Sequence, residues 1–482
     1  MAGIGFELKK LFNGKGLIQG IRACFLSMLV AIGPTLLCIL MMTVLQKLLY
    51  NWGASVLQRE LFMATVIYSF TFSLILTSAF TMILSRYISD KIYKKEYKDI
   101  LPSLKGAITV CILIGCIIGI AFYWRSPLNL LFKLAAYTLF IELNILWLQT
   151  LYVSALKDYM KLVKGFFTGV SFVFLFSYIL VNLMNIDAVT GVLASIDIGF
   201  FIIILFFANG IQSFFCHESR KFFDFLEYFD RYPSLFFIGI FYAFGLYVHN
   251  FLFWASGYRT ILYDTYIFAP FYDVPAFWAF LTVTPAMVIF VVSFETSFYE
   301  KCKVYYNAIC NGGLIEDIDQ LQNEMIDVVS RNLRNIMGIQ LLFTIFFLDI
   351  GMIFLPLAGL ENKCIDIFNV LVIGNYAFII MFICFTVLLY FDDRKGALMI
   401  VCFFILANAQ LTRMTILMGE NYYGLGFMTA AFLSLAIGFA RLNHFLNNIR
   451  YFIFCSQPIT QHNSDKLFTW ISRKLNKLLN DS

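Results

Sequence analysis

Four ionisable side chains interrupt long apolar runs in this chain: Glu142, Asp197, Asp349 and Arg413. A charge at the centre of a bilayer costs about 2.5–3.5 kcal/mol on the insertion scale, so each is expected to face a partner or a water-filled cavity. Three of the four are acids. Together they would give a cavity a net-acidic lining, which suits a cationic or hydroxyl-rich cargo. A pyrophosphate-linked anion would instead call for clustered Arg and Lys. The plainer alternative is structural pairing between helices, Arg413 with Asp349 for example. His249 and Asn250, near the outer end of one apolar run, join the cavity candidates, as does Glu295 near the inner end of the next. Lys133 and Arg441 stand close enough to run ends to snorkel into the interface.

A second constellation lies at residues 258–278, YRTILYDTYIFAPFYDVPAFW, which reads as an outer loop. Aromatic rings stack on sugar faces and carboxylates accept hydroxyl hydrogen bonds, so Tyr263, Asp264, Tyr266, Tyr272, Asp273 and Trp278 are candidate sugar contacts. The competing and slightly favoured reading is an interfacial aromatic belt.

The elements that must position these residues follow from composition. Hydrophobic residues make up 61% and charged residues 13% of 482 positions, where soluble domains carry roughly 25% charged. A bilayer core of about 30 Å takes roughly 20 apolar residues as a helix. Twelve such spans are expected, at 23–47, 61–85, 104–124, 127–155, 165–186, 188–213, 233–255, 275–297, 335–357, 365–391, 395–418 and 424–449. Their uninterrupted runs exclude a β-barrel, whose strands alternate polar and apolar. With the N-terminus placed in the cytoplasm, that side collects 28 of the 35 basic residues. Every loop pair then obeys the positive-inside bias, and an even number of spans is required. Both termini are therefore expected to be cytoplasmic. The opening MAGIGFELKKLFNGKG has no apolar core followed by a small-residue cleavage site, so the first span is expected to act as the insertion signal.

Two stretches outside the spans are amphipathic. After a turn at Asn311-Gly312-Gly313, Ile315, Ile318, Leu321, Met325, Val328 and Val329 recur at helical spacing within the cytoplasmic connection 298–334. The tail repeats the pattern with Leu467, Trp470, Ile471, Leu475 and Leu478 against Lys466, Arg473, Lys474 and Lys477. Such helices lie in the headgroup layer or offer a docking surface to a cytoplasmic partner. GxxxxGK[ST] and HExxH do not occur, so no P-loop cofactor or hydrolytic metal site is indicated. Asp317-Ile318-Asp319 has the form of a metal-holding DxD but fits the solvated face of its helix. The eleven cysteines include no CxxC and sit mostly in apolar runs, where a thiol is a small hydrophobe. Cys364 is the one placed on the outer side. No charge run points to nucleic acid.

Several islands carry a family likeness: MAGIGFELKKLF with Gly33-Pro34, HNFLFW at 249–254, and FAPFYDVPAFWAFLTVTPAMVIFVVSFETSFYEKCKVYYNAICNGG at 268–313. YFDDRKGAL at 390–398, Asn408-Ala409 with Thr412, YYGLGF at 422–427 and YFIFCSQP at 451–458 continue it. On these motifs the chain resembles the Pel exopolysaccharide transporter family (PelG), within the superfamily of polysaccharide flippases and multidrug exporters. The departures are Thr35 and Phe251, each where the family usually has tryptophan. The resemblance implies an all-α integral membrane protein of two six-helix halves around a central cavity. The halves would be 1–213 and 233–449, joined by a cytoplasmic linker at 214–232 and followed by a cytoplasmic tail at 450–482. It further implies a non-enzymatic translocase moving a growing amino-sugar polymer across the cytoplasmic membrane for a biofilm matrix. Its implied partners are a cytosolic nucleotide-sugar glycosyltransferase and small membrane proteins, one a cyclic di-GMP sensor. Competing readings are an ion-coupled exporter of small molecules or lipid-linked oligosaccharides, and a polytopic glycosyltransferase. The last expects catalytic carboxylates in a large outer loop, whereas the first outer loop carries only Glu60.

Overall fold

Hydrocarbon offers no hydrogen-bond partner to a peptide group, so each apolar run must close its backbone bonds on itself as a helix. The computed structural model describes residues 17–156, 159–215, 218–357, 359–455 and 467–481, with side chains from Gly33 onward except at 159, 295, 296, 453, 454 and 479–481. The opening motif 1–16 thus lies outside the described residues. Among the described residues twelve helical segments are long and apolar enough to cross a membrane, and each expected span falls on one of them.

In chain order the helices begin with α1 Leu17–Asn51, α2 Val56–Tyr93, α3 Ile100–Tyr123, α4 Leu130–Ala155, α5 Tyr159–Tyr178 and α6 Ala188–Phe214. A short α7 Glu227–Arg231 precedes α8 Pro233–Trp254. The hairpin β1 Thr260–Leu262 and β2 Tyr266–Phe268 leads to α9 Pro270–Leu281, α10 Thr284–Ser293 and α11 Tyr299–Cys310. The remainder is α12 Ile315–Leu357, α13 Asn362–Tyr390, α14 Arg394–Met418, α15 Leu425–Asn447 and α16 Leu467–Asp481.

Three of these differ from the sequence expectation. Residues 258–278 are not one loop: 260–268 is an antiparallel hairpin, and helix resumes at Pro270, where proline's fixed φ suits a first turn. The amphipathic stretch after Gly313 is not a separate helix. No Gly or Pro interrupts residues 315–337, so it runs unbroken into the ninth span as the 43-residue α12, roughly 65 Å at 1.5 Å per residue. The eighth span, in contrast, is broken. α9 stops at Leu281, α10 restarts beside Pro285, and a π-helical turn follows at Phe294–Phe298.

The described chain gathers into two compact units, one holding Gly33–Tyr247, Gly257–Phe268 and α16, the other the part of α1 up to Ile32 with Val248–Ser256 and Ala269–Ile459. The chain passes between them within α1, after Ile32, within α8, after Tyr247, and again at both ends of Gly257–Phe268, and residues 214–232 belong to the first unit. In the first unit α6 packs along α4 and α5, and α2 along α4. The Tyr68 hydroxyl pins β2 at one residue, donating to Ile267 O at 2.6 Å and accepting from Ile267 N at 3.0 Å. The tail helix docks on the segment before α8. Asp230 accepts from Thr469 N and Oγ1, Asn476 donates to Asp224 and accepts from Phe223 N, and Phe468 stacks on Phe229 at 5.3 Å.

In the second unit polar side chains of α12 repair the broken span. The Gln340 amide inserts where Ala286 N would meet Thr282 O. It accepts from the first at 3.1 Å and donates to the second at 2.8 Å. Eight residues earlier on the same face, Asn332 donates to Ser293 O and Ser297 Oγ at the π-turn. These are the side-chain insertions that let a transmembrane helix break without stranding its backbone.

The second unit also depends on a close helix approach at Gly426. A Cβ there would lie 2.5 Å from the Thr412 backbone of α14. Gly426→Ala should therefore cost about 1–3 kcal/mol by overpacking and lower the Tm of the detergent-solubilised protein by a few degrees. Gly438→Ala, whose Cβ would meet its nearest atom at 3.5 Å, should leave the Tm unchanged.

Candidate functional site

The first unit brings two of the acids within electrostatic reach of each other. Glu142 sits on α4 and is 7% exposed. Asp197 is half-buried on α6, the helix packed along α4. Glu142 Oε2 and Asp197 Oδ1 are both buried without a hydrogen-bond partner among the described residues. Two further acceptors on α4, Asn144 Oδ1 and Gln149 Oε1, are in the same condition. Buried polar atoms are paired as a rule. Glu142 and Gln149, seven residues apart, share a face of α4, whereas Asn144 points toward Gly115 of α3 and donates to Phe140 O. Scanning for charge alone passed over Asn144 and Gln149. The signal that finds them is any polar side chain at mid-span, because hydrocarbon penalises an unpaired amide as well as a charge.

Asp349 and Arg413 have a different fate. Both side chains are exposed, on α12 and α14 of the second unit, and they make no ion pair with each other. The structural pairing offered for them does not form.

His249 and Asn250 come together with Tyr272 and Asp273, but as an internal clamp. His249 Nδ1 and Tyr272 Oη are 2.8 Å apart, and Phe253 stacks on the Tyr272 ring at 3.7 Å. Asp273 accepts from Asn250 Nδ2 at 2.7 Å, Trp254 Nε1 at 2.8 Å and Ala269 N at 2.8 Å. The sequence explains this locally. HNFLFW ends α8, and Pro270 sets the first turn of α9 so that Tyr272 and Asp273 face back onto that end.

The set of six outer-loop candidates therefore divides. Tyr266 and Tyr272 are fully buried, and Tyr266 meets Tyr123 Oη at 2.8 Å. Asp273 spends its oxygens inside the fold, and Trp278 is half-buried with its ring edge against Phe354. Only Tyr263 and Asp264 stay exposed, at the hairpin turn, with φ of 48° and 47°. Glu295 carries a side chain outside the described residues.

The comparisons with known proteins fit this arrangement. The fold resembles an outward-facing multidrug-resistance MATE transporter of the MOP superfamily, with TM-score 0.58 and 10% identity over 88% of this chain and 96% of that one. It also resembles the bent form of the Vibrio cholerae MATE transporter VcmN, with TM-score 0.59 and 13% identity over 89% and 97%. A MOP superfamily transporter from Pyrococcus furiosus gives 0.55 and 10% over 88% and 96%. Among curated proteins there is no match. The fold is thus that of a multi-pass membrane transporter of the MATE type. Residues 1–454 match the PelG exopolysaccharide exporter family (EPS-E), and the chain belongs to that family.

The clamp makes a separate prediction. Asp273→Ala would leave three donors facing no acceptor, each costing about 1–3 kcal/mol when buried. Thermal unfolding of the purified protein should report a loss of at least about 3 kcal/mol. Tyr263→Ala, at the exposed turn, should leave stability unchanged.

Proposed function

We propose that this exporter moves a growing Pel-type amino-sugar polymer across the cytoplasmic membrane, as a cytosolic glycosyltransferase extends it from a nucleotide sugar. The Glu142–Asp197 pair carries this reading. Two neighbouring carboxylates with unpaired oxygens suit a cargo that is rich in hydroxyls and carries amine or amide donors. In the same proposal both termini are cytoplasmic, small membrane proteins including a cyclic di-GMP sensor complete the assembly, and the chain itself catalyses no reaction. The likeness to the MATE fold supports transport, and family membership supports the polymer.

A second reading uses the same pair differently. An unpaired buried carboxylate is also what a proton carrier requires, so ion-coupled export of a small molecule or lipid-linked oligosaccharide would use Glu142 or Asp197 as the exchanging group.

Reconstitution with the glycosyltransferase and a nucleotide sugar separates the two. Polymer should accumulate inside vesicles only when this chain is present, and Glu142→Gln or Asp197→Asn should cut that accumulation at least tenfold at equal protein level. Unchanged accumulation in both variants would remove the carboxylates from the proposal. No polymer in the vesicles, together with gradient-dependent transport of a small molecule or lipid-linked oligosaccharide, would favour the second reading. Polymer made by this chain without the glycosyltransferase would overturn both.

Orientation has its own test. Cys310 ends α11 and is exposed, and Cys364 begins α13 and is half-buried. In single-cysteine variants a membrane-impermeant maleimide should reach Cys364 in intact spheroplasts and Cys310 only after permeabilisation. The reverse pattern would invert the topology.

A further inference from the structure

Helices α12 and α15 both pack on α13, and a groove of about 590 Å³ is lined by the three of them, all within the second unit. The lining is mostly apolar, and its polar side chains other than Tyr376 gather at one end. At the level nearer the 298–334 connection it presents Ser330 and Arg334 of α12 and Asn443 of α15. Further in, its walls are Met337, Leu341 and Phe439, with Tyr376 of α13 among them. Seven residues at 1.5 Å rise place Leu341 roughly 10 Å deeper than Arg334. The Arg334 side chain is exposed and takes part in no hydrogen bond or ion pair with the described residues. Gly338, on the turn after Arg334, faces open space: a Cβ there would meet no atom within 4 Å.

The ordinary account of an arginine at this depth is snorkelling, its head drawn to the interface along an apolar surface. That account explains the charge but not its company. A hydroxyl and a carboxamide stand at the same level, and a slot of lipid-tail character continues below them. A guanidinium beside two neutral hydrogen-bonding groups matches the oxygens of a phosphodiester, which guanidinium binds with two parallel bonds. Basic pockets between transmembrane helices take lipid headgroups on these grounds.

We propose that this groove holds one anionic phospholipid of the leaflet on the side of the 298–334 connection. Its phosphate lies on Arg334, Ser330 and Asn443, and one acyl chain runs along Met337, Leu341 and Phe439. The uncompensated charge of Arg334 selects an anionic lipid over a zwitterionic one, whose own cation already neutralises its phosphate. Gly338 lets the chain approach the α12 backbone. This site is independent of the carboxylates of α4 and α6.

Native mass spectrometry of the full-length exporter, titrated with phosphatidylglycerol or with phosphatidylcholine of identical acyl chains, tests the proposal. The first phosphatidylglycerol should bind about tenfold more tightly than the first phosphatidylcholine. Arg334→Gln should abolish that preference, whereas Arg331→Gln, the same charge change one turn away and outside the groove lining, should preserve it. Gly338→Leu, which fills the groove, should weaken both lipids about tenfold. Equal binding of the two lipids by the unaltered protein would overturn the proposal without recourse to any variant. So would a preference that survives Arg334→Gln, or one that Arg331→Gln removes equally.

Discussion

A peptide group in hydrocarbon has only the protein itself to hydrogen-bond with, and nearly every feature of this exporter answers to that scarcity. It makes the spans helical. It also sets the terms on which a span is allowed to break. The eighth span is interrupted at Thr282–Val283 and again at the π-turn, and both interruptions lie opposite amide side chains of α12. Gln340 substitutes for the missing backbone pair at the first, and Asn332 serves the second. The buried face of α12, with Asn332, Ile336, Gln340 and Thr344 at four-residue spacing, is thus as much a supply of hydrogen bonds as a packing surface.

The same scarcity sorts the acidic residues. Asp273 is supplied with three donors and becomes part of the scaffold. Glu142 and Asp197 each keep a buried oxygen without a partner among the described residues, within electrostatic reach of one another. A carboxylate whose lone pairs are filled by the fold has nothing left to offer a ligand, and one whose lone pairs are open is held ready for whatever brings a donor. That distinction separates a carboxylate that holds the second unit together from two acids of the first unit whose oxygens the described residues leave unpaired. The motif islands that carry the family likeness fall partly in the scaffold group: His249, Asn250, Trp254, Tyr272 and Asp273 lock the end of α8 to the start of α9.

Much of this was legible in the residues alone. Twelve spans follow from run length, because the bilayer sets a minimum number of apolar residues and the chain meets it twelve times. The identity of the family followed from islands spread along the chain. Glu142 and Asp197 could be singled out because a charge within an apolar run is costly wherever it points. Their electrostatic coupling could not be read from residues 142 and 197, which are 55 positions apart and influence one another only because α4 packs along α6.

What tertiary structure decided was where each polar group points and who meets it. Tyr272 and Asp273 looked like Tyr263 and Asp264 in sequence, aromatic beside acid in one polar-aromatic stretch. Helix from Pro270 turned the first pair inward, and the hairpin turn left the second pair in the open. Arg413 and Asp349 have complementary charges, yet nothing in their spacing along the chain says whether two helices will bring them within reach, and they do not pair. Run length and hydropathy are properties of a segment, so the sequence alone determined the spans. Pairing is a property of two segments, and their packing assigned it.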